Sequence, residues 1–355
     1  MRPVLGRIFV VTAVLLVAGL VAAGVTLAVL RTQSRTNTQQ VNLQTGVSIT
    51  EDSAIIAAAG KARPAVVSIV TQQQPTLVRG SGYLATSDGY IVTNVNVIVG
   101  ASGLTVLVPG DTRAHDARLV DYDCQTGVAV IKIDKVSGLP TLAFADPNSL
   151  VQGQVIVAVG GPVDGGAITP AYVSAMHRVN SVKDPVNFGG SLQFSDTIQT
   201  SAPIDGGTSG GPLLNVGSQV VGIAMESDVT RAGFALNVAD VQDDVQQILQ
   251  TGQVVVPSLG ATTSDVTSET AALNGVPQGS QIVSVDKGGP ATGAGLKAGD
   301  VITQLDDVRL DSAHPLSLLL RSRFHANQRV TVTYSRNGAS TQTELTLTTQ
   351  HPTCS

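Results

Sequence analysis

The sequence predicts a mostly β protein, an all-β barrel or sandwich region followed by a small mixed domain. Three observations predict it. Hydrophobic residues make up 43% of the chain but aromatics only 3%, with no Trp, so Val, Ile, Leu and Ala must build the core and the β-branched excess favours strands. The apolar residues fall in many short runs divided by Gly, Pro, Asp and Asn, the spacing expected of barrels and sandwiches. At 355 residues the chain is long enough for about two domains.

The first element is the uncharged, predominantly apolar run 8–30. A helix rises about 1.5 Å per residue and needs about 20 such residues to cross a bilayer, so 8–30 is expected to be a transmembrane signal anchor. The competing reading is a cleaved signal peptide, whose apolar core is normally shorter, about 7–15 residues. Arg2 and Arg7 precede the run and Arg31 and Arg35 follow it, a balance too even for positive charge to set orientation. Residues 31–53, rich in Thr, Gln, Asn and Ser, are expected to be a polar linker.

Residues 54–250 are expected to form the first domain, with strands near 65–70, 104–108, 128–133, 155–159, 220–224 and 234–238. Residues 82–93 read as a hairpin turning at Ser87-Asp88-Gly89. Val241, Val245, Ile248 and Leu249 recur at helical spacing, and Gly252 offers a C-terminal cap. Residues 254–350 are expected to be a second domain, with strands near 281–285, 301–305, 330–335 and 344–349. Its helix is expected at 315–324, and Asn337-Gly338 marks a hairpin turn.

Charged residues are 13%, the formal net charge is −5, and there is no run of Lys or Arg. That composition argues against nucleic acid as a partner. Cys124 and Cys354 are the only cysteines. Outside the cytoplasm they could pair and tie the C-terminus to the first domain, or both could stay free thiols. Neither has companions at metal-ligand spacing, so no metal is expected, and no cofactor is expected.

Four stretches carry a resemblance. Gly80-Ser81-Gly82-Tyr83 and Ser87 through Asn94 form a strand pair. Asp123-Cys124-Gln125-Thr126-Gly127-Val128-Ala129-Val130 follows, then Ile198 through Ile204 running into Gly206-Gly207-Thr208-Ser209-Gly210-Gly211-Pro212. Gly295-Leu296-Lys297-Ala298-Gly299-Asp300-Val301-Ile302 lies in the second domain. In this order they resemble the HtrA (DegP-like) family. The resemblance implies a membrane anchor, a trypsin-like double β-barrel and a C-terminal PDZ domain. It also implies a single-pass cell-membrane protein with its globular domains outside the cytoplasm.

The resemblance places Ser209 at the nucleophile and the N–H groups of Gly207 and Ser209 at an oxyanion hole. It also exposes two departures. Where the family motif reads Thr-Asn-x-His-Val, this chain reads Thr93-Asn94-Val95-Asn96-Val97, with Asn96 in place of the base. Where the family has Thr-Asp, it reads Thr126-Gly127, with Gly127 in place of the orienting aspartate. A serine hydroxyl needs a base to take its proton during attack, and a carboxamide does not accept one near neutral pH. His115 and His177 are the first domain's only histidines, and neither falls in a position the family uses.

The function expected is therefore that of a pseudoprotease binding unfolded polypeptides or protein C-termini as sensor or adaptor, alone or in mixed oligomers with active relatives. Two alternatives stay open: an active serine endopeptidase using Ser209 with an unconventional base, and a structural envelope protein. Restoring Asn96→His and Gly127→Asp together is expected to return proteolysis if the cleft is intact. In the second domain the resemblance places a carboxylate-binding loop at Ser258-Leu259-Gly260-Ala261, with Leu318 and Arg321 of the helix as candidate pocket residues. Peptides bind such domains by adding a strand to an open sheet edge.

Overall fold

The computed structural model describes residues 19, 46–73, 76–98, 100–163, 166–183, 191–227, 232–311 and 314–352. Apart from Gly19, the apolar run 8–30 lies outside them, as does Cys354. Among the described residues no helix is long and apolar enough to cross a membrane.

The β-branched runs close into two six-stranded antiparallel barrels. The first takes β1 (Val66–Gln73), β2 (Thr76–Leu84), β3 (Tyr90–Asn94), β4 (Leu104–Leu107), β5 (Ala114–Asp123) and β6 (Val128–Ile133). Its strand order is β1-β2-β3-β6-β5-β4. The second takes β7 (Val155–Val159), β8 (Ile168–Lys183), β9 (Ser191–Thr200), β10 (Pro212–Leu214), β11 (Val220–Met225) and β12 (Gly233–Asn237), ordered β10-β11-β12-β9-β8-β7. Every residue of β6, β11 and β12 is buried, which is why these strands read as continuous apolar runs rather than alternating ones. One apolar cluster runs from Ile69, Val92 and Ile131 of the first barrel to Val159, Ile223 and Leu236 of the second. The barrels therefore share part of their core.

Helix α1 (Gly46–Ala62) begins inside the stretch expected to be linker. Ile55, Ala59 and Ala62, spaced three and four residues apart, pack on the first barrel. This helical spacing is masked in sequence by the Thr, Glu, Asp and Ser at 50–53. The short helix α2 (Val95–Ile98) follows β3 directly. Helix α3 (Val238–Thr251) starts on Asn237, whose side chain accepts from the Ala239 N–H, and stops at Gly252, which donates to Ile248 O. The cap at Gly252 was expected from sequence; the N-terminal cap at Asn237 was not.

The second domain adds β13 (Val256–Ser258), β14 (Ala261–Val266), α4 (Ser268–Asn274), β15 (Gly279–Val285), α5 (Pro290–Gly293), β16 (Val301–Leu305) and β17 (Val308–Arg309). It closes with α6 (Leu316–Arg323), β18 (Arg329–Arg336), β19 (Ala339–Thr346) and β20 (Thr348–Gln350). Strands β14-β15-β16-β18-β19 form the main sheet, and β13 pairs with β20. Leu316, Leu319 and Leu320 of α6 join Leu259, Ile302 and Val332 in its core. This domain and the barrels belong to one unit, Asp52–Ser355.

Candidate functional site

The serine loop is built by strand ends that leave little freedom. Thr93 and Asn94 close β3, and both are fully buried. Thr93 donates its hydroxyl to Ser81 O at 2.8 Å. Ser81 in turn donates from its backbone N–H to Ser209 O at 2.8 Å and from its hydroxyl to Gly207 O at 2.6 Å. Gly210 has φ +84, and a Cβ there would lie 2.2 Å from both Ser81 O and Thr93 Oγ1. Only glycine fits, because the left-handed backbone and the close approach exclude a side chain together.

Ser209 is 4% exposed. Its hydroxyl oxygen accepts a hydrogen bond from Asn94 Nδ2 at 2.9 Å, not from Asn96. Asn94 Oδ1 accepts from the Val97 N–H at 3.1 Å, which turns the amide nitrogen toward the serine and toward Ala224 O, 2.9 Å away. The group facing the hydroxyl is thus a saturated donor with no basic lone pair. Asn96, one residue into α2, has a buried Oδ1 without a hydrogen-bond partner among the described residues.

Gly127 stands at φ +83, and a Cβ there would meet the Phe194 ring at 2.7 Å and Leu236 Cδ2 at 3.0 Å. Its conformation is set by Asp123, whose carboxylate accepts the Gln125 and Thr126 N–H groups at 2.7 and 3.2 Å. Gly127 N–H closes the turn on Asp123 O, and Gly127 O accepts from Val95 N–H at 2.8 Å. The space a side chain would use is filled by an aromatic ring.

Of the two expected oxyanion-hole donors, the Ser209 N–H is already engaged within its own loop. Ser209 N–H donates to Asp205 O at 2.9 Å. Thr208 N–H is taken by the same carbonyl and by Asp205 Oδ1 at 2.9 Å. The cause is local: Asp205 caps the turn over Gly206–Gly210 as an aspartate caps a helix start, and it draws the Thr208 and Ser209 N–H groups inward. Asp205 and Asn94 were not singled out from sequence. Nothing in their motifs distinguishes a capping aspartate or an amide aimed at the serine from ordinary loop and strand-end residues.

The histidines stand elsewhere. His115 Nε2 lies 3.0 Å from Asp111, and His177 Nδ1 lies 3.0 Å from Asp196. His314 pairs with Asp311 and His351 with Asp121.

In the second domain Ser258 Oγ donates to Gln350 Oε1 at 2.8 Å and accepts the Gly260 N–H at 3.0 Å. Leu259 is buried in the domain core, and Gly260, at φ +69, packs on Pro290. Ala261 opens β14, an edge strand paired on one side with β15. Leu318 and Arg321 are not brought to this loop. Both line a cavity of about 640 Å³ facing the barrels, which includes none of residues 258–261. The sequence placed them by helix alone; the rotation of α6 turns that face outward toward the other domain.

A model of the trypsin-like peptidase domain matches residues 80–223, and one of the PDZ domain matches residues 257–347. The chain is 36% identical over 268 residues to a probable periplasmic serine endoprotease DegP-like of Halomonas elongata, covering 73% of this chain and 54% of that protein. It is 33% identical over 287 residues to the serine protease Do-like HtrA of Lactococcus lactis subsp. lactis, covering 76% of this chain and 70% of that one. This chain thus spans about half the length of the first relative and more of the second. Among solved structures, the HtrA-type protease AlgW with decapeptide superposes with a TM-score of 0.67 at 26% identity, covering 84% of this chain and 99% of AlgW. The serine endoprotease from Yersinia pestis gives 0.62 at 26% identity, covering 83% of this chain and 98% of that one. Paired barrels, the serine loop between them and the PDZ domain that follows agree with these likenesses: the chain belongs to the HtrA family.

Proposed function

We propose that this HtrA-family chain is a pseudoprotease that binds unfolded polypeptide or protein C-termini and does not cut them. The observation that carries the reading is that Asn96 and Gly127 stand where the family motifs have histidine and aspartate, so no residue at the base's position can take the Ser209 proton. The Ser209 hydroxyl is met by a donor, Asn94 Nδ2 at 2.9 Å. Loss of triad members costs on the order of 10⁶ in turnover, and the Ser209 N–H, held by Asp205 O, is one oxyanion-hole donor fewer for transition-state stabilisation.

Peptide binding is supported by the open edge of β14 and by relatives whose structures hold a decapeptide or tripeptide. An extracytoplasmic location is supported by the relatives named as periplasmic, and the apolar run 8–30 would serve as its membrane anchor. Mixed assembly with an active relative would give such a binder a route to degradation.

The test is direct. The purified protein should bind C-terminal peptides, leave casein intact and fail to label with a fluorophosphonate. Casein cleavage abolished by Ser209→Ala would overturn the reading, whereas a flat profile across a C-terminal peptide library would leave a purely structural envelope protein.

A further inference from the structure

The cavity of about 640 Å³ between α3, α6 and β13 has the size of a site that holds a few side chains. One wall is apolar: Phe194, Leu236, Val256, Leu318 and Phe324 line it, and Leu318 stays 40% exposed there. The other wall is acidic. Asp240, Asp243 and Asp244 stand three and four residues apart on α3 and share its cavity face, while Val241, Val245 and Ile248 turn into the barrel core. Asp196 of β9 adds a fourth carboxylate. Among the described residues, Arg321 and His325 are the only basic side chains along the cavity. The Arg321 guanidinium donates to Asp123 Oδ2, to both Asp244 oxygens at 3.0 and 3.3 Å, and to Gln125 Oε1 at 3.1 Å. Its charge is thus spent on two buried carboxylates, Asp123 and Asp244. Asp196 meets His177 Nδ1 at 3.0 Å, and among the described residues no cation pairs with Asp240 or Asp243.

We propose that this cavity is a peptide site separate from the 258–261 loop, and that its occupant is a basic, apolar segment of unfolded polypeptide. A Lys or Arg side chain of the segment meets Asp240 and Asp243, and its apolar neighbour packs on Phe194 and Leu318. The inference rests on the reading of this chain as a polypeptide binder and adds which segments it takes, with no free C-terminus required.

Charge complementarity selects this occupant. Like charges three and four residues apart on a helix repel and lower its stability, so the pairs Asp240–Asp243 and Asp240–Asp244 work against α3 until a cation joins them. The crowding shows in the acids themselves. Burial first, then the Asp196 carboxylate, pushes Asp240 up to about 7, with Arg321 opposing. Burial first, then Asp123, pushes Asp244 up to about 7, with Arg321 and the Thr126 hydroxyl opposing. An acidic segment would add to this repulsion, and a purely apolar one would leave the carboxylates buried without a cation. A long basic side chain answers both walls, because its alkyl stem lies on apolar surface while its head reaches the charge.

The test is a fluorescence-anisotropy titration of the full chain with a labelled peptide alternating Lys and Leu. Its C-terminus is amidated, so it offers no carboxylate to the 258–261 loop. It should bind, a Glu–Leu counterpart should not, and added salt should weaken the complex. Asp240→Asn with Asp243→Asn should weaken it about tenfold or more. Ser322→Lys, an exposed position of α6 on the same cavity, should do so independently by supplying a resident cation. Equal binding of the two peptides, binding of neither, or affinity unchanged in both variants would overturn the site. A peptide with a free C-terminal carboxylate, titrated in parallel, separates the two failures: if it alone binds, the cavity proposal falls and the polypeptide-binder reading stands.

Discussion

Asn94 meets Ser209 with a donor, because its oxygen is already committed to the Val97 N–H and its nitrogen faces the hydroxyl. Gly127 settles whether an aspartate can return. At φ +83, with the Phe194 ring 2.7 Å from a would-be Cβ, Gly127→Asp must accept left-handed strain and overpacking together. Each costs about 1–3 kcal/mol. The expectation that Asn96→His with Gly127→Asp restores proteolysis is therefore replaced. We expect the double variant to lose about 2–6 kcal/mol in urea denaturation and to leave casein uncut, since Asp205 still holds the Ser209 N–H. Cleavage by the folded double variant would show instead that the loop rearranges once a base is present.

At the scale of elements, α6 serves two structures with two faces. Leu316, Leu319 and Leu320 hold it in its own domain, while Leu318, 40% exposed, and Arg321 turn to the barrels. Arg321→Ala would leave Asp123 and Asp244 buried without their cation, and breaking a buried pair costs about 3–5 kcal/mol. We expect a loss of that order by urea denaturation at about pH 8. The loss should shrink at about pH 6, where a protonated Asp244 no longer presents a charge. An equal loss at both values would mean that Arg321 acts through packing rather than charge.

For the whole molecule, two sets of carboxylates act in opposite pH windows. Asp240 and Asp244 have raised values in the folded chain, so the folded state binds more protons than the unfolded one. Their contribution is fully present below the unfolded value near 4 and is lost as pH rises through about 7. Asp300 is held below its ordinary value: burial works against this, but Arg336 and the Lys297 N–H outweigh it. Its contribution is present above the unfolded value and is lost as pH falls through the lowered one. Thermal melting should therefore peak between about pH 4 and about pH 7 and decline toward about pH 8. Melting that rises steadily from about pH 6 to about pH 8 would contradict the raised pair.

Much of this architecture was legible because burial and hydrophobic run coincide. The runs at 128–133, 155–159 and 301–305 became β6, β7 and β16 with the expected bounds, and Gly252 ended α3 where its turn chemistry placed it. The departures at Asn96 and Gly127 were legible too, because a missing imidazole and a missing carboxylate are absences of residue type. The start of α1 was not, since polar residues cover its apolar spacing. What tertiary structure alone decided was direction: which nitrogen meets Ser209, which way the loop N–H groups point, and which side of α6 carries Arg321. Residue type determines what chemistry a chain can attempt. Whether a donor faces a hydroxyl, a carbonyl or another domain depends on contacts between segments more than a hundred residues apart, such as Asn94 with Ser209 and Arg321 with Asp123, which no local pattern records.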